Sequence, residues 1–556
     1  MAMPATISAL KKPISTDISA SDFIDGFKKW KERTSTSPSG RHLGLYKAII
    51  NDYEEDEDRI SKDLPPNRTT DILDVLVKMT NLPLRYGFAP TRWCKSITVM
   101  IEKDPGSPRI ERLRIIHLFE ADYNFVLKQM WARRMVYCGE DHNCFNHQQY
   151  GSRPGHQALD AVHKKTLSYD LARILLVNLA MLDNDATGCY DRIVISLAMI
   201  CALRLGMPRS AVRMHSKVIA NLRYFVKTAH GISDRWYKAV RQHLLFGTGQ
   251  GSGASPAIWL SIVSCLLAGL SKMASLTMLF TDPWRDIANE RSADSYVDDT
   301  SIGVSDAHLP EPLTAPVLVQ HLQSVSQTWE RLLYSSGGAL ELRKCFWYLI
   351  YWQWIDGRPV MVNSLECPAD ITLTCGLATT STTIARKEPW EAMRTLGVRP
   401  APNGNFLKEA TFLKSKADTY ASRLLASNLT RMDTFLFHRS TYIPSLTYSL
   451  PVTTLSKTQL NKIQTRSIMA ILDKLGVNRN FPRRVTFGPR EYCGLSLMDM
   501  SVEQGVRQLQ HFMNHVFAMD SIGELILIEL RSLQIESGCG HHLLEAPLID
   551  LPYLTP

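Results

Sequence analysis

The feature that most constrains this chain is a hydrophobic run that ends in acids. In "LVNLAMLDNDATGCYDRI" the largely apolar stretch from Leu175 to Leu182 predicts a buried strand. A buried strand should not finish in Asp183, Asn184 and Asp185 unless something binds there, because a carboxylate taken out of water needs a partner. A second acidic island lies downstream in "SADSYVDDTSIGV", where Asp298 and Asp299 are adjacent between two strand-like pieces. Neighbouring residues of a strand point to opposite faces and aspartate is depleted in strands, so this pair reads as the tip of a β-hairpin. Tip geometry alone is equally satisfied by a solvated turn.

Taken together the two islands suggest more. Carboxylates leaving the end of a central strand could meet the carboxylates of a hairpin tip and share a divalent cation. Mg²⁺ takes one or two carboxylates plus phosphate oxygens, and two such ions about 3.5–4 Å apart clamp the entering and leaving oxygens of a phosphoryl transfer. Between the islands lies "FGTGQGSGASPAIW", Phe246 to Trp259, whose small residues allow close backbone approach to a ligand and whose Pro256 suits a helix first turn. A glycine-rich loop could also hold a dinucleotide, but the spacing and preceding strand of that fingerprint are missing.

In order, these pieces resemble the reverse transcriptases of non-LTR (LINE-type) retrotransposons. "LDNDATGCYDRI" is similar to that family's motif A, which selects Asp185 with Tyr190 and Asp191 and leaves Asp183 outside. "GTGQGSGASP" resembles motif B, with Gln250 and Gly251 at the template and substrate contact. "YVDD" matches motif C, and "GGALELRKCFWY" resembles motif D with Lys344 at its lysine. Upstream, "VMIEKDPGSPRIERLRIIHL" looks like the finger motifs and puts Lys103 and Arg114 at triphosphate-binding positions, although Glu102 and Ile115 replace the usual prolines. "HQQYGSRPGHQALDAV" is similar to the segment that follows, and "RTLGV" to the primer grip.

The resemblance implies an α+β right-hand polymerase with fingers, palm and thumb, an antiparallel palm sheet and a helical C-terminal region. It implies an RNA-directed DNA polymerase whose partners are an RNA template, a DNA primer and dNTPs, with two Mg²⁺ ions, replaceable by Mn²⁺, on Asp185, Asp298 and Asp299. Lys344 would donate a proton to pyrophosphate, and Tyr190 would sit beneath the sugar. A viral-type RNA-dependent RNA polymerase shares the motif order but would be expected to carry an aspartate near Tyr190. A catalytically silent nucleic-acid-binding remnant is the reading from another class, against which intact Asp185, Asp298 and Asp299 argue. No endonuclease or RNase H signature is visible, so the chain reads either as a fragment of a longer element product or as a stand-alone polymerase, with a separate endonuclease activity as one option.

Composition narrows the rest. With 45% hydrophobic and 21% charged residues the chain is that of a globular protein, and eleven cysteines, an odd number, form no disulfide framework and suggest a reducing, intracellular compartment, nuclear or cytoplasmic. "MAMPATISALKKPIS" lacks the apolar core of a secretory signal, and Pro256 to Leu270 is short for a membrane span and reads as a core helix. The net charge of +9 favours a polyanionic partner only weakly. The acidic run Asp52 to Arg59 reads as a solvated face, while Arg479, Arg483, Arg484 and Arg490 either track a phosphate backbone or form a solvated basic face. Cys138, His142, Cys144 and His147 have no common zinc-finger spacing, and Cys539, His541 and His542 form a weaker set. The expected organisation is an N-terminal extension at 1–85, fingers at 86–180, palm at 181–385, primer grip and helical thumb at 386–520, and a tail at 521–556. Proline and glycine near residues 370 and 400 suggest a boundary there.

Overall fold

The computed structural model describes residues 14–34, 37–66, 71–103, 105–107, 109–240 and 247–545. Phe246 and the last eleven positions of the expected tail lie outside them. The chain is an α+β protein built on two main sheets.

The first sheet combines β1 (Lys95–Glu102), β2 (Leu113–Leu118), β4 (Arg223–Thr228) and β5 (Gly231–Tyr237) in the order β2-β1-β4-β5. The second places β3 (Leu179–Asp185) in its interior, with β8 (Ala293–Tyr296), β9 (Asp299–Ser305), β10 (Phe346–Ile350), β13 (Ile371–Leu373) and β14 (Thr382–Lys387) in the order β13-β14-β10-β3-β9-β8. All of its pairs are antiparallel except β10 with β14. Two short hairpins, β6 (Met278–Thr281) with β7 (Ala288–Arg291) and β11 (Trp352–Ile355) with β12 (Arg358–Met361), complete the strands.

Strand β3 explains its own composition. Ala180 and Leu182 enter one apolar core with Leu318, Leu322 and Trp329, whereas Leu179 and Met181 enter a second with Leu171, Tyr348, Ile522 and Leu525. Both faces of β3 are therefore buried, which is why its sequence is apolar without alternation. The first face is covered by the Ala315–Ser335 helix and, behind it, the Ser255–Met273 helix; the second by the Ala158–Ile174 and Ser521–Glu536 helices. The Ser255–Met273 helix is long and apolar enough to cross a membrane, yet two thirds of its most apolar stretch is buried inside the protein, as a core helix requires.

The N-terminal helices share the main core. Phe23 and Phe27 of the Ala20–Lys28 helix, which Ser19 and Asp22 cap reciprocally, pack on Tyr46 and Phe125. Trp30 lies beyond that helix and receives the Lys128 ammonium on its ring face. At the other end, the Leu407–Leu425 and Lys457–Lys474 helices pack together, the second opening on a Ser456/Gln459 capping box and followed by Gly476 at φ 71°.

Three expectations are corrected. The strand begins at Leu179, not Leu175, because Leu176 takes a left-handed φ of 52° and Asn178 is engaged by the Asp306 carboxylate; at its other end it runs through the acids to Asp185. Residue 370 is no boundary, since β13 and β14 belong to the same sheet as β3. Residues from 521 do not start as a tail: the Ser521–Glu536 helix buries Ile522, Leu525 and Ile528 against the Ala158–Ile174 helix.

Candidate active site

The hairpin tip is built by the ladder of β8 and β9. Tyr296 pairs with Asp299, which leaves Val297 and Asp298 as the two turn residues. Val297 has φ 60°, the positive first position of a primed hairpin turn, and a β-branched residue there costs about 1–3 kcal/mol. Its surroundings hold it in place. The Trp259 indole N–H donates to the Val297 carbonyl, and Gly151 lies so close that a Cβ on it would come within 2.5 Å of the Val297 nitrogen. The same segment straps the sheet edge: Tyr150 N–H donates to the Ser295 carbonyl at 2.9 Å, and Ser295 N–H to the Gln148 carbonyl at 2.8 Å. This gives "HQQYGSR" a task that its sequence did not reveal.

Asp185 ends β3 directly opposite Asp299. Ala186 N–H donates to the Asp298 carbonyl at 3.1 Å, and Glu341 N–H to the Asp185 carbonyl at 3.0 Å. The second bond brings in the turn Leu342–Lys344, whose Lys344 ammonium is ion-paired with the Asp185 carboxylate and pushed upward in pKa by that bond. Asp183, one of the three polar residues ending the strand, goes elsewhere: it pairs with buried Lys165 and accepts from the Ser301 hydroxyl.

The two tip carboxylates occupy different surroundings. Asp299 lines a cavity of about 180 Å³ together with Asp183, Asp185, Lys344, Arg394 and Thr395. Burial, then the charges of Asp298, Asp185 and Asp183, push its pKa up to about 7. Asp298 does not line that cavity; burial raises its pKa, Asp185 adds to the rise, and the Lys344 and Arg114 charges oppose it. Its charge also bears on Cys189 and Tyr190. The charges of Asp185 and Asp298 both act on Asp299, and that of Asp185 also acts on Asp298.

The glycine-rich loop is seated against the residues after β3. Thr248 N–H donates to the Tyr190 carbonyl at 2.9 Å, and a Cβ on Gly247 would meet the Asp191 backbone at 2.5 Å. His117 N–H on β2 donates to the Gln250 carbonyl at 2.7 Å, while Gly251, at φ 109°, approaches His117 so closely that a Cβ would collide with its carbonyl oxygen. Asn124 completes the clamp by donating to the Gly251 carbonyl and accepting from Gly253 N–H. Burial raises the pKa of Asp191, opposed by a backbone hydrogen bond from Gln250 and by the Lys103 charge. Lys103 and Arg114 are exposed, Arg114 pairing across β1 and β2 with Ile101. The β1–β2 unit therefore brings two cations within electrostatic reach of the acids, Lys103 acting on Asp191 and Arg114 on Asp298.

The remaining sites separate. Arg484 is exposed, whereas Arg483 is half-buried and donates to the Arg479 carbonyl. His142 Nδ1 donates to the Cys138 carbonyl and the Cys144 thiol to the His142 carbonyl, local contacts of a loop. Among the described residues, the group whose ligand atoms converge is Asp160, His511 and His515, which could hold a metal ion. Gly151, Trp259, Asn124 and Lys165 are the supporting residues missed from sequence; only Gly151, in a polar stretch, carried a visible hint. Comparison with protein-family models and with curated proteins finds no match for this chain.

Proposed function

We propose that this protein is an RNA-directed DNA polymerase that joins a deoxynucleotide to a primer 3′-hydroxyl, using a right-hand arrangement in which the second sheet serves as palm, the β1–β2 unit as part of the fingers and the C-terminal helices as thumb. The observation that carries the reading is the pairing of Asp185 with the Asp298–Asp299 turn across β3 and β9. Hard oxygen donors crowded at two strand ends, where burial and neighbouring carboxylates push the pKa values of Asp298 and Asp299 up, fit a divalent cation such as Mg²⁺. Asp185 and Asp298 would hold it, with Asp299 tuning the site from the cavity side. Magnesium, when bound, supplies positive charge that acidifies the primer hydroxyl and neutralises the leaving pyrophosphate.

The chain's own residues do the rest. Lys103 and Arg114 attract and orient the triphosphate; Lys344, freed from Asp185, is the proton donor for pyrophosphate. Tyr190, fixed through its carbonyl by the loop carrying Gln250, forms the floor beneath the sugar. Asp298→Asn and Asp185→Asn are expected to lower primer extension by about 10²–10³-fold or more while leaving the unfolding temperature near that of the parent. Full extension by either variant in Mg²⁺ contradicts the assignment.

A further inference from the structure

A second cluster of donors uses none of the residues assigned to the proposed polymerase centre. Asp160 stands in the first turn of the Ala158–Ile174 helix, and His511 and His515 stand one turn apart on the Met500–Ala518 helix. Ligand atoms from all three lie within 4.8 Å of one another. Each is also engaged by a hydrogen bond. Asp160 accepts the Gln157 backbone N–H on Oδ2, while its Oδ1 lies 3.6 Å from His515 Nε2. His515 Nδ1 is engaged by the Asp520 carboxylate at 2.7 Å, and His511 Nε2 by His163 Nδ1 at 2.9 Å. A carboxylate behind a ligating imidazole is the usual way a protein fixes the ring and its tautomer for a metal.

We propose that Asp160, His511 and His515 form a zinc site that clips the Met500–Ala518 helix to the Ala158–Ile174 helix. Two imidazoles and one carboxylate suit zinc, with a water in the fourth tetrahedral position, whereas Mg²⁺ prefers an octahedron of oxygens. The ligands come from segments far apart in sequence, so an ion bound only in the folded state ties the C-terminal helices to the sheet layer. The site is independent of the polymerase reading.

The test uses the full chain, stripped with a chelator and titrated with Zn²⁺ in excess Mg²⁺, beside His511→Gln/His515→Gln as the baseline for adventitious binding to its cysteines. One additional zinc per wild-type chain, a raised unfolding temperature with zinc, and about tenfold or more weaker binding by Asp520→Asn are expected. Equal zinc uptake by wild type and the double variant overturns the proposal. If the double variant does not fold, the cobalt-loaded wild type decides: tetrahedral visible bands without thiolate charge transfer support the site, and thiolate charge transfer or no tetrahedral band overturns it.

Discussion

The Val297–Asp298 turn separates two adjacent acids, Asp299 lining the cavity with Asp185 and Asp298 standing outside its lining. Asp185 and the adjacent pair Asp298 and Asp299 were legible because charge at the end of an apolar run is costly. The turn that parts the two tip acids rests on Val297, and a β-branched residue at φ 60° cannot be anticipated from local preference. Asp183, which the motif left outside the site, is a buried partner of Lys165, a pairing that only the fold creates. Tyr190 gives a test at this scale. If its ring occupies the room a 2′-hydroxyl needs, Tyr190→Val raises ribonucleotide incorporation about tenfold, or about 1.4 kcal/mol, relative to deoxynucleotide incorporation. Single-nucleotide extension with both sugars measures this, and an unaltered preference in an active variant removes the steric role.

At the scale of elements, the strands and long helices followed from hydrophobic pattern, while the edges and straps did not. The Gln148–Gly151 strap has a polar sequence, and its bonds to β8 and the tip come entirely from tertiary packing. The same packing buries Lys164, whose Nζ has Asp294 at 3.4 Å but makes no hydrogen bond. Burial first, and then Arg291, push its pKa down to about 8, with Asp294 opposing. Below that pH the lysine is charged in both states and the folded state carries the penalty; the penalty fades as pH rises toward the unfolded value. Lys164→Met, which leaves Asp294 paired with Arg291, is therefore expected to stabilise the fold by about 1–3 kcal/mol at pH 7 and by less near pH 10. Denaturant unfolding across that range checks the sign, and a constant or negative difference contradicts it. Of the two arginines proposed to meet nucleic acid, Arg484 is exposed whereas Arg483 is turned to its own backbone. Arg484→Glu is expected to lower the slope of log affinity against log salt for primer-template by about one; an unchanged slope places Arg484 against solvent only.

At the scale of the whole molecule, sequence order foretold a sheet-based part followed by a helical part, but not how they join. The Ser521–Glu536 helix returns to cover the second face of β3, so the last described helices close the core that the acidic strand begins. That closure depends on contacts between distant residues, such as His163 with His511, 348 positions apart, which no local pattern encodes. The proposal that this assembly copies RNA into DNA is tested by extension of a DNA primer on an RNA template by the wild-type chain in Mg²⁺, with dNTPs in one reaction and rNTPs in the other. Template-directed extension with dNTPs, lost on chelation and in Asp298→Asn, is the predicted result; extension that prefers rNTPs, or none with either set from a folded protein that binds the primer-template, would contradict it.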